Sequence, residues 1–495
     1  MTRLTAIFLF LTACFSGVWT QAMSYTGYMI QGGHIYGHTE VGAVVRFDER
    51  NIPVNARGHY FIGFGRDETP QHTLTITFPD GRTENSDITL EPGTFNIQRL
   101  TGIAPNMVNP PEAVKARIVQ EAEEVFEVRS VYREDDAFLQ PFIWPLFGPV
   151  TGVYGSQRFY NGEPKNPHFG VDVARPIGTP VYAPANGMVV LAEPDLYFSG
   201  GTVIIDHGYR LSSTLMHLSE VSVQKGQQIV QGQMIGRVGA TGRVTGPHLD
   251  WRMNWLDVRI DPTYLVPDMK DICDVQDFQK SKQNVILIHG LGRTSRSMQS
   301  MQHFLQDQGY NVCRIDYPSR EYPVEALASY LSNSIARIER YNTQPIHLVT
   351  HSLGGILARY SLQYMSLPAG SRIVMLSPPN HGSEIIDRFQ SWKLFSRIMG
   401  PAALQLSTAT DSLPNVIPGI SAEFGIITGS DSSDPWFNWL FDETTDGKVT
   451  VTSARLAGMK DFLVLPVGHT TIMNNQRVQK ETLFFLRHGR FRPDS

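Results

Sequence analysis

The segment Ile346-His347-Leu348-Val349-Thr350-His351-Ser352-Leu353-Gly354-Gly355 decides the architecture of the second half of this chain. Ile346–Thr350 reads as a short strand, and Ile356–Met365 reads as a helix. Between them the backbone turns over His351–Gly355, and the small residues beside the serine let the helix approach the strand. A serine on such a strand–turn–helix presents its hydroxyl above the sheet.

Working outward, Val285-Ile286-Leu287-Ile288 is an uninterrupted apolar run, as expected for a strand covered on both faces. A helical pattern over Ser297–Gln308, a strand at Asn311–Ile315, a helix over about 323–341 and a strand at Arg372–Leu376 follow. Strands alternating with helices predict a doubly wound α/β domain over 284–495. A nucleophilic serine needs a base, and the base an orienting acid. Ser352, Asp446 (in Asp446-Gly447-Lys448-Val449) and His469 (in Pro466-Val467-Gly468-His469) stand in the order this arrangement uses. His381 is a competing base and Asp442 a competing acid. His351 reads as packing behind the turn, and His289 as bracing the loop His289-Gly290-Leu291-Gly292. Residues 384–425 carry Phe389, Trp392, Phe395, Ile398 and Met399 at helical spacing, which reads either as core packing or as a cap over an acyl pocket.

The first half has a different texture. Residues 23–103 form a β-rich module, in which Thr73–Phe78 alternates with period two and Pro79-Asp80-Gly81 turns the chain. Residues 104–139 are a helical connector, with helical period over 111–130. Residues 140–266 return to short strands with Gly and Pro punctuation, which predicts a compact antiparallel sheet. A polar linker, 267–283, precedes the α/β domain. Within 140–266, His168 and Asp172 are four apart across a glycine. His248 and Asp250 are two apart, so a strand projects both from one face. His217 lies between them in sequence. Catalytic zinc takes about three protein ligands plus an open position. Histidines left over serve as acid, base or oxyanion stabiliser. His207 reads as structural.

Two resemblances follow from these residues. His168-Phe169-Gly170-Val171-Asp172, Ile205–Gly208 leading to His217-Leu218-Ser219, and Gly246-Pro247-His248-Leu249-Asp250 resemble the M23 (LytM/lysostaphin-like) peptidoglycan endopeptidases over roughly 140–266. The resemblance implies one Zn2+ bound by His168 and Asp172, with His217 and His248 assisting the attacking water. The family has His-x-His where this chain has His248-Leu249-Asp250, so Asp250 is expected as the third ligand. Two carboxylates cancel the ion's charge, which predicts a less acidified water. The elbow, the His-Gly-x-Gly after the first strand and the late Gly-His resemble the α/β-hydrolase superfamily, lipase-like members in particular, over about 284–490. Thr350 stands where glycine is usual. Ser377–Ser383 looks like the post-strand loop of lipases. The resemblance implies that Ser352 attacks an acyl carbon, His469 takes its proton and Asp446 orients that histidine, with the oxyanion met by the N–H groups of Leu291 and Leu353.

The chain has 495 residues, room for about three domains. Its net charge of −5 and lack of a basic block exclude nucleic acid as an expected partner. Arg3, the apolar run Leu4–Phe15 and Thr20-Gln21-Ala22 read as a signal peptide over 1–22, cleaved after Ala22. Leu11-Thr12-Ala13-Cys14 offers lipid attachment at Cys14 instead, and with it a peripheral membrane association. Export permits a Cys273–Cys313 disulfide, and two separate buried thiols fit equally well. The expected product is therefore an exported, periplasmic or envelope protein that acts on peptidoglycan and on an ester or lipid substrate. Its alternatives are an esterase or lipase docked to the wall by a weak M23-like domain, and a non-catalytic scaffold or activator.

Overall fold

The computed structural model describes residues 23–100, 112–160, 163–164, 166–432, 441 and 443–493. The signal peptide, Cys14 and Asp442 lie outside the described residues.

Residues 23–100 build two small antiparallel sheets. One comprises Met23–Tyr28, His34–Thr39 and His59–Gly63; the other comprises Val44–Phe47, Arg50–Ile52, Gln71–Thr77 and Thr83–Thr89. The predicted turn at Pro79–Gly81 closes the Gln71–Thr77/Thr83–Thr89 hairpin, with Thr77 opposite Thr83. The helix Lys115–Ser130 follows, with no fully buried residue. Val125 and Val128 pack against Leu191, Leu196 and Ile204, Arg117 pairs with Asp195, and the Tyr197 N–H donates to Glu121.

Next comes a ten-stranded antiparallel sheet with central order Gly187–Leu196, Gly200–Asp206, Leu211–Val221, His248–Trp255, Val171–Ala174. Along His248–Trp255 the residues Leu249, Trp251, Met253 and Trp255 are at most 1% exposed and form the core face. This core is continuous with that of the N-terminal module, because Ile35, Phe61 and Phe64 belong to the same packed cluster as Trp255 and Ile260. His207 is buried, bridging Asn186 O (2.6 Å) and Ser213 Oγ (2.7 Å), and burial lowers its pKa to about 4.

The last region is a six-stranded, wholly parallel sheet, ordered Asn311–Ile315, Asn284–Ile288, Ile346–His351, Arg372–Leu376, Glu423–Gly429, Asp461–Leu465. Helices Val324–Tyr341 and Leu353–Ser361 cover one face. Gln299–Asp307 and Gln476–His488 cover the other, so each face has its own apolar core. The chain is thus multidomain, an antiparallel β-rich first half followed by a doubly wound α/β region. The helix after the elbow starts at Leu353, three residues before the start expected from periodicity. Gly354 and Gly355 are themselves its first turn.

The polar stretch before this sheet is more than a tether. Ile272 and Cys273 are buried, and Cys273 is disulfide-bonded to Cys313 on the edge strand. The two halves also dock. Asn333 Oδ1 accepts the Trp144 N–H (2.9 Å) and its Nδ2 donates to Phe142 O (2.9 Å). The Arg340 guanidinium lies over the rings of Tyr182 (4.2 Å) and Phe147 (4.7 Å). Among the described residues no helix is long and apolar enough to cross a membrane.

Candidate catalytic sites

The first site is assembled by strand register. Asp172 lies directly opposite Asp250, and Ala174 opposite His248. Met216 pairs with Asp250 on the other side. His217, one residue on, has a left-handed backbone (φ 65°), and the ladder is irregular there. That kink turns its ring toward His248, with 5.0 Å between ring centroids. A regular strand would aim residues 216 and 217 at opposite faces.

Three histidines share one device. Nδ1 of His168 faces Val153 O (3.3 Å), Nδ1 of His217 faces Thr241 O (3.0 Å), and Nδ1 of His248 faces Gly246 O (2.8 Å). Each carbonyl takes the Nδ1 proton and leaves Nε2 for chemistry, the usual tautomer control in metal sites. His168 Nε2 lies 3.1 Å from Asp172 Oδ1 and 3.3 Å from Asp250 Oδ2. His248 Nε2 is 3.7 Å from Asp172 Oδ1. Ligand atoms of His168, Asp172 and Asp250 all fall within 4.8 Å of one another, and Asp172 Oδ1 is buried without a well-directed hydrogen bond. One imidazole and two carboxylates with an orphaned buried oxygen between them fit a divalent cation. Burial works against charge on His168, but the two carboxylates outweigh it and push its pKa up to about 10. Burial lowers the pKa of His217 and keeps it neutral. Two glycines make the room: a Cβ on Gly152 would stand 2.1 Å from Asp172 Oδ2, and one on Gly170 would stand 2.6 Å from Asp250 Oδ1.

Sequence reasoning missed Arg252. Its Nε reaches both oxygens of Asp250 (3.0 and 3.1 Å) and its second nitrogen reaches Oδ2 at 2.6 Å. Burial raises the Asp250 pKa, but Arg252 and His168 outweigh it and hold the carboxylate ionised. The signal was available, because residues two apart on a strand share a face. Arg252 also alters the charge count made from sequence. With its guanidinium included, a +2 ion, two carboxylates and one arginine leave +1, the value of a two-histidine, one-aspartate site.

The second site forms at the carboxyl ends of the parallel strands. Ser352 sits between the strand Ile346–His351 and the helix Leu353–Ser361 with φ 51° and ψ −121°. That strained conformation lifts a nucleophile out of the sheet. The close approach explains the glycines. A Cβ on Gly354 would lie 2.8 Å from Ile288 O, on Gly355 2.8 Å from Pro378 Cβ, and on Gly290 3.0 Å from Ser352 Cβ. Asp446 Oδ1 accepts the N–H groups of Lys448 (3.0 Å) and Val449 (2.9 Å), and its Oδ2 faces His469 Nδ1 at 2.7 Å. Burial opposes its charge, but His469 and these hydrogen bonds keep the Asp446 pKa below the usual range. Leu353 opens a helix, where backbone N–H groups lack intrahelical acceptors. Leu291 follows Gly290, the residue pressed against Ser352. His289 stacks on Tyr317 (centroids 4.0 Å apart), and the Tyr317 hydroxyl donates to His289 O. His351 is buried, its Nε2 facing His469 O (3.0 Å), and burial lowers its pKa. His381 is exposed and faces Asn415. In the 384–425 segment Phe395 and Met399 pack inward, whereas Trp392 and Ile398 are exposed.

Residues 166–262 match the family model for peptidase family M23, and residues 285–472 match that of the alpha/beta hydrolase family. A peptidoglycan DD-endopeptidase of Vibrio cholerae, ShyA, is 48% identical over 87 residues, which is 18% of this chain and 20% of the relative. The chain spans about a fifth of the length of the first curated relatives it matches. The catalytic domain of the peptidase lysostaphin from Staphylococcus simulans aligns at 28% identity over 27% of this chain and 98% of its own, with a TM-score of 0.22. The mature lipase BlEst2 of Bacillus licheniformis aligns at 18% identity over 43% of this chain and 96% of its own, with a TM-score of 0.35. The chain thus joins a region that matches peptidase family M23 to one that matches the alpha/beta hydrolase family.

Proposed function

We propose that this protein is an exported, bifunctional cell-envelope hydrolase, a zinc-dependent peptidoglycan endopeptidase joined to a serine ester hydrolase. The observation that carries the reading is the presence, on two separate sheets, of a His168–Asp172–Asp250 cluster and of an Asp446–His469 pair at the sheet that bears Ser352 on its strained turn. The reading divides the mature chain into a β module (23–103), a connector (104–139), a peptidase domain (140–266), a linker (267–283) and an ester-hydrolase domain (284–495) with 384–425 as its cap.

At the first site His168, Asp172 and Asp250 hold the ion. Zinc there supplies Lewis acidity and a water of lowered pKa. His217, neutral in its buried setting, accepts a proton at Nε2, and His248 donates at Nε2 toward the departing amine or the developing oxyanion. The Nδ1 contact leaves Nε2 of neutral His217 free to accept, whereas His248 donates from Nε2 as its imidazolium, with its Nδ1 contact fixing the direction of the ring.

At the second site Ser352 Oγ attacks the ester carbonyl and its proton passes to His469 Nε2. Asp446 holds the Nδ1–H and stabilises the imidazolium. Leu291 and Leu353 N–H groups receive the oxyanion. His469 then protonates the leaving alcohol, and water repeats the sequence on the acyl-enzyme to release the acid. The substrate is a lipid ester or an ester substituent of the wall.

The test combines metal content, peptidoglycan hydrolysis and p-nitrophenyl ester hydrolysis on wild type and on Asp250→Ala and Ser352→Ala. Each variant is expected to lose one activity and keep the other. Loss of both activities in either variant would sink the two-site reading. A fluorophosphonate probe that fails to label Ser352 would remove the ester half. If Asp250→His creates wall lysis absent from wild type, the M23-like region is a wall-binding domain and the esterase is the enzyme.

A further inference from the structure

The sheet face beside the His168–Asp172–Asp250 cluster carries charge that the proposed chemistry leaves unused. On the strand His248–Trp255 the core side chains alternate with His248, Asp250, Arg252 and Asn254, which share the opposite face. Thr214 lies across from Arg252, and the Arg129 guanidinium donates to Thr214 Oγ1 at 2.7 Å. The helix Lys115–Ser130 thus delivers a second cation to the same face. Arg259 lies across from Asn254 and donates to its Oδ1 at 3.2 Å.

Among the described residues Asp250 is the one carboxylate that ion-pairs with any of these three guanidiniums, and it is taken by Arg252. Among the described residues neither Arg129 nor Arg259 has a carboxylate partner, and Arg129 Nε is buried with no partner at all. The gathering is costly. Burial, then Arg259 and Arg252, push the Arg129 pKa down, and burial followed by Arg252 brings Arg259 to about 10. Buried charge is ordinarily paired, so two half-buried arginines without a carboxylate on one sheet face call for an anion from outside. The Arg252 side chain is 27% exposed, so an anion reaches it from solvent.

We propose that Arg129, Arg252 and Arg259 form a subsite for a carboxylate of the bound peptide, next to the His168–Asp172–Asp250 cluster. Residues two apart on a strand are separated by about 7 Å, so the anchored carboxylate lies about two peptide residues from the bond that is cut. Guanidinium forks match a carboxylate in two-point geometry. The proposal rests on the peptidoglycan-hydrolase reading and names the part of the substrate that is recognised.

The experiment uses the zinc-loaded full chain and two non-hydrolysable cross-linked stem peptides, one with free carboxylates and one with every carboxylate amidated. Binding is measured by calorimetry for wild type, Arg129→Gln and Arg259→Gln, with folding checked by circular dichroism. The free acid is expected to bind wild type about tenfold or more tightly than the amide. That preference is expected to shrink in each variant, and either variant alone suffices if the other fails to fold. A merely structural role for these arginines would weaken both peptides equally. Equal binding of the two peptides to wild type overturns the subsite and leaves the peptidoglycan reading standing. Binding of neither peptide overturns both.

Discussion

At the residue scale, Arg252 and the glycines are the positions at which this chain's chemistry departs from its motifs. Gly152 carries no motif, yet it makes room for Asp172. Gly152→Ala would drive a methyl into Asp172 Oδ2, 2.1 Å from the ideal Cβ. Zinc affinity measured by competition with a chelator is expected to fall on the order of 10- to 100-fold, as for other residues that position ligands, while ester hydrolysis is unchanged. Wild-type zinc affinity in that variant would show that Asp172 is no ligand. At the second site, Asp446→Asn would keep the shape but reverse the hydrogen bond to His469. Ester kcat is expected to drop on the order of 10^4-fold. A variant within a fewfold of wild type would remove Asp446 as the orienting acid. Ser352 and His469 could be named as candidates because they stand in short local motifs. Arg252 was overlooked because its role depends on the side chain two residues back along the strand.

At the element scale, the segment preceding the α/β sheet shows how a polar run can be structural. Its disulfide to Cys313 closes a loop with a separation of 40 residues. In the chain-entropy picture such a loop is worth about 4 kcal/mol. Cys273→Ser/Cys313→Ser is expected to lower the unfolding free energy of the α/β region by up to that amount, seen as a shifted urea midpoint followed by ester activity. An unchanged midpoint would mean that the cross-link contributes nothing beyond local packing. The strands and helices of the second half matched their expected ranges closely, because buried parallel strands are apolar runs and their helices are amphipathic. The helix Lys115–Ser130 was expected as a connector, and its placement over the sheet was not legible. It buries no complete side chain, and it is held by Val125 and Val128 against Leu191, Leu196 and Ile204 and by polar contacts, all with partners far along the chain.

At the scale of the whole molecule, the N-terminal module and the peptidase sheet share one core, and the α/β region docks onto them through Asn333, Arg340 and Tyr360. Asn333→Ala leaves the Trp144 N–H and Phe142 O unpaired in a buried setting. A loss of about 2 kcal/mol is expected, read as a lower Tm with the two activities initially retained. Acid sensitivity is also global. Burial lowers the pKa of His34 to about 3, and burial comes first in lowering His59, His207 and His347 to about 4. Their unfolded value is about 6.5. Stability from keeping them neutral is complete above that pH and is lost as pH falls from about 6.5 toward 4, since only the unfolded chain then takes up the protons. Each histidine adds up to about 1.4 kcal/mol per pH unit over this window. Thermal midpoints should decline between pH 7 and pH 4.5, and a flat profile would contradict the burial of these rings.

The amino-acid order alone determined the two hydrolase signatures, the alternation of apolar runs that makes one half antiparallel and the other parallel, and the identity of the residues able to do chemistry. These are local properties, set by spacing along the backbone and by what each side chain can donate, accept or bury. Only the folded structure decided that the two sulfurs join, that the His217 ring meets His248, and that three arginines meet on one sheet face. Those outcomes depend on register between strands and on packing between segments tens to hundreds of residues apart, which no short window of sequence contains.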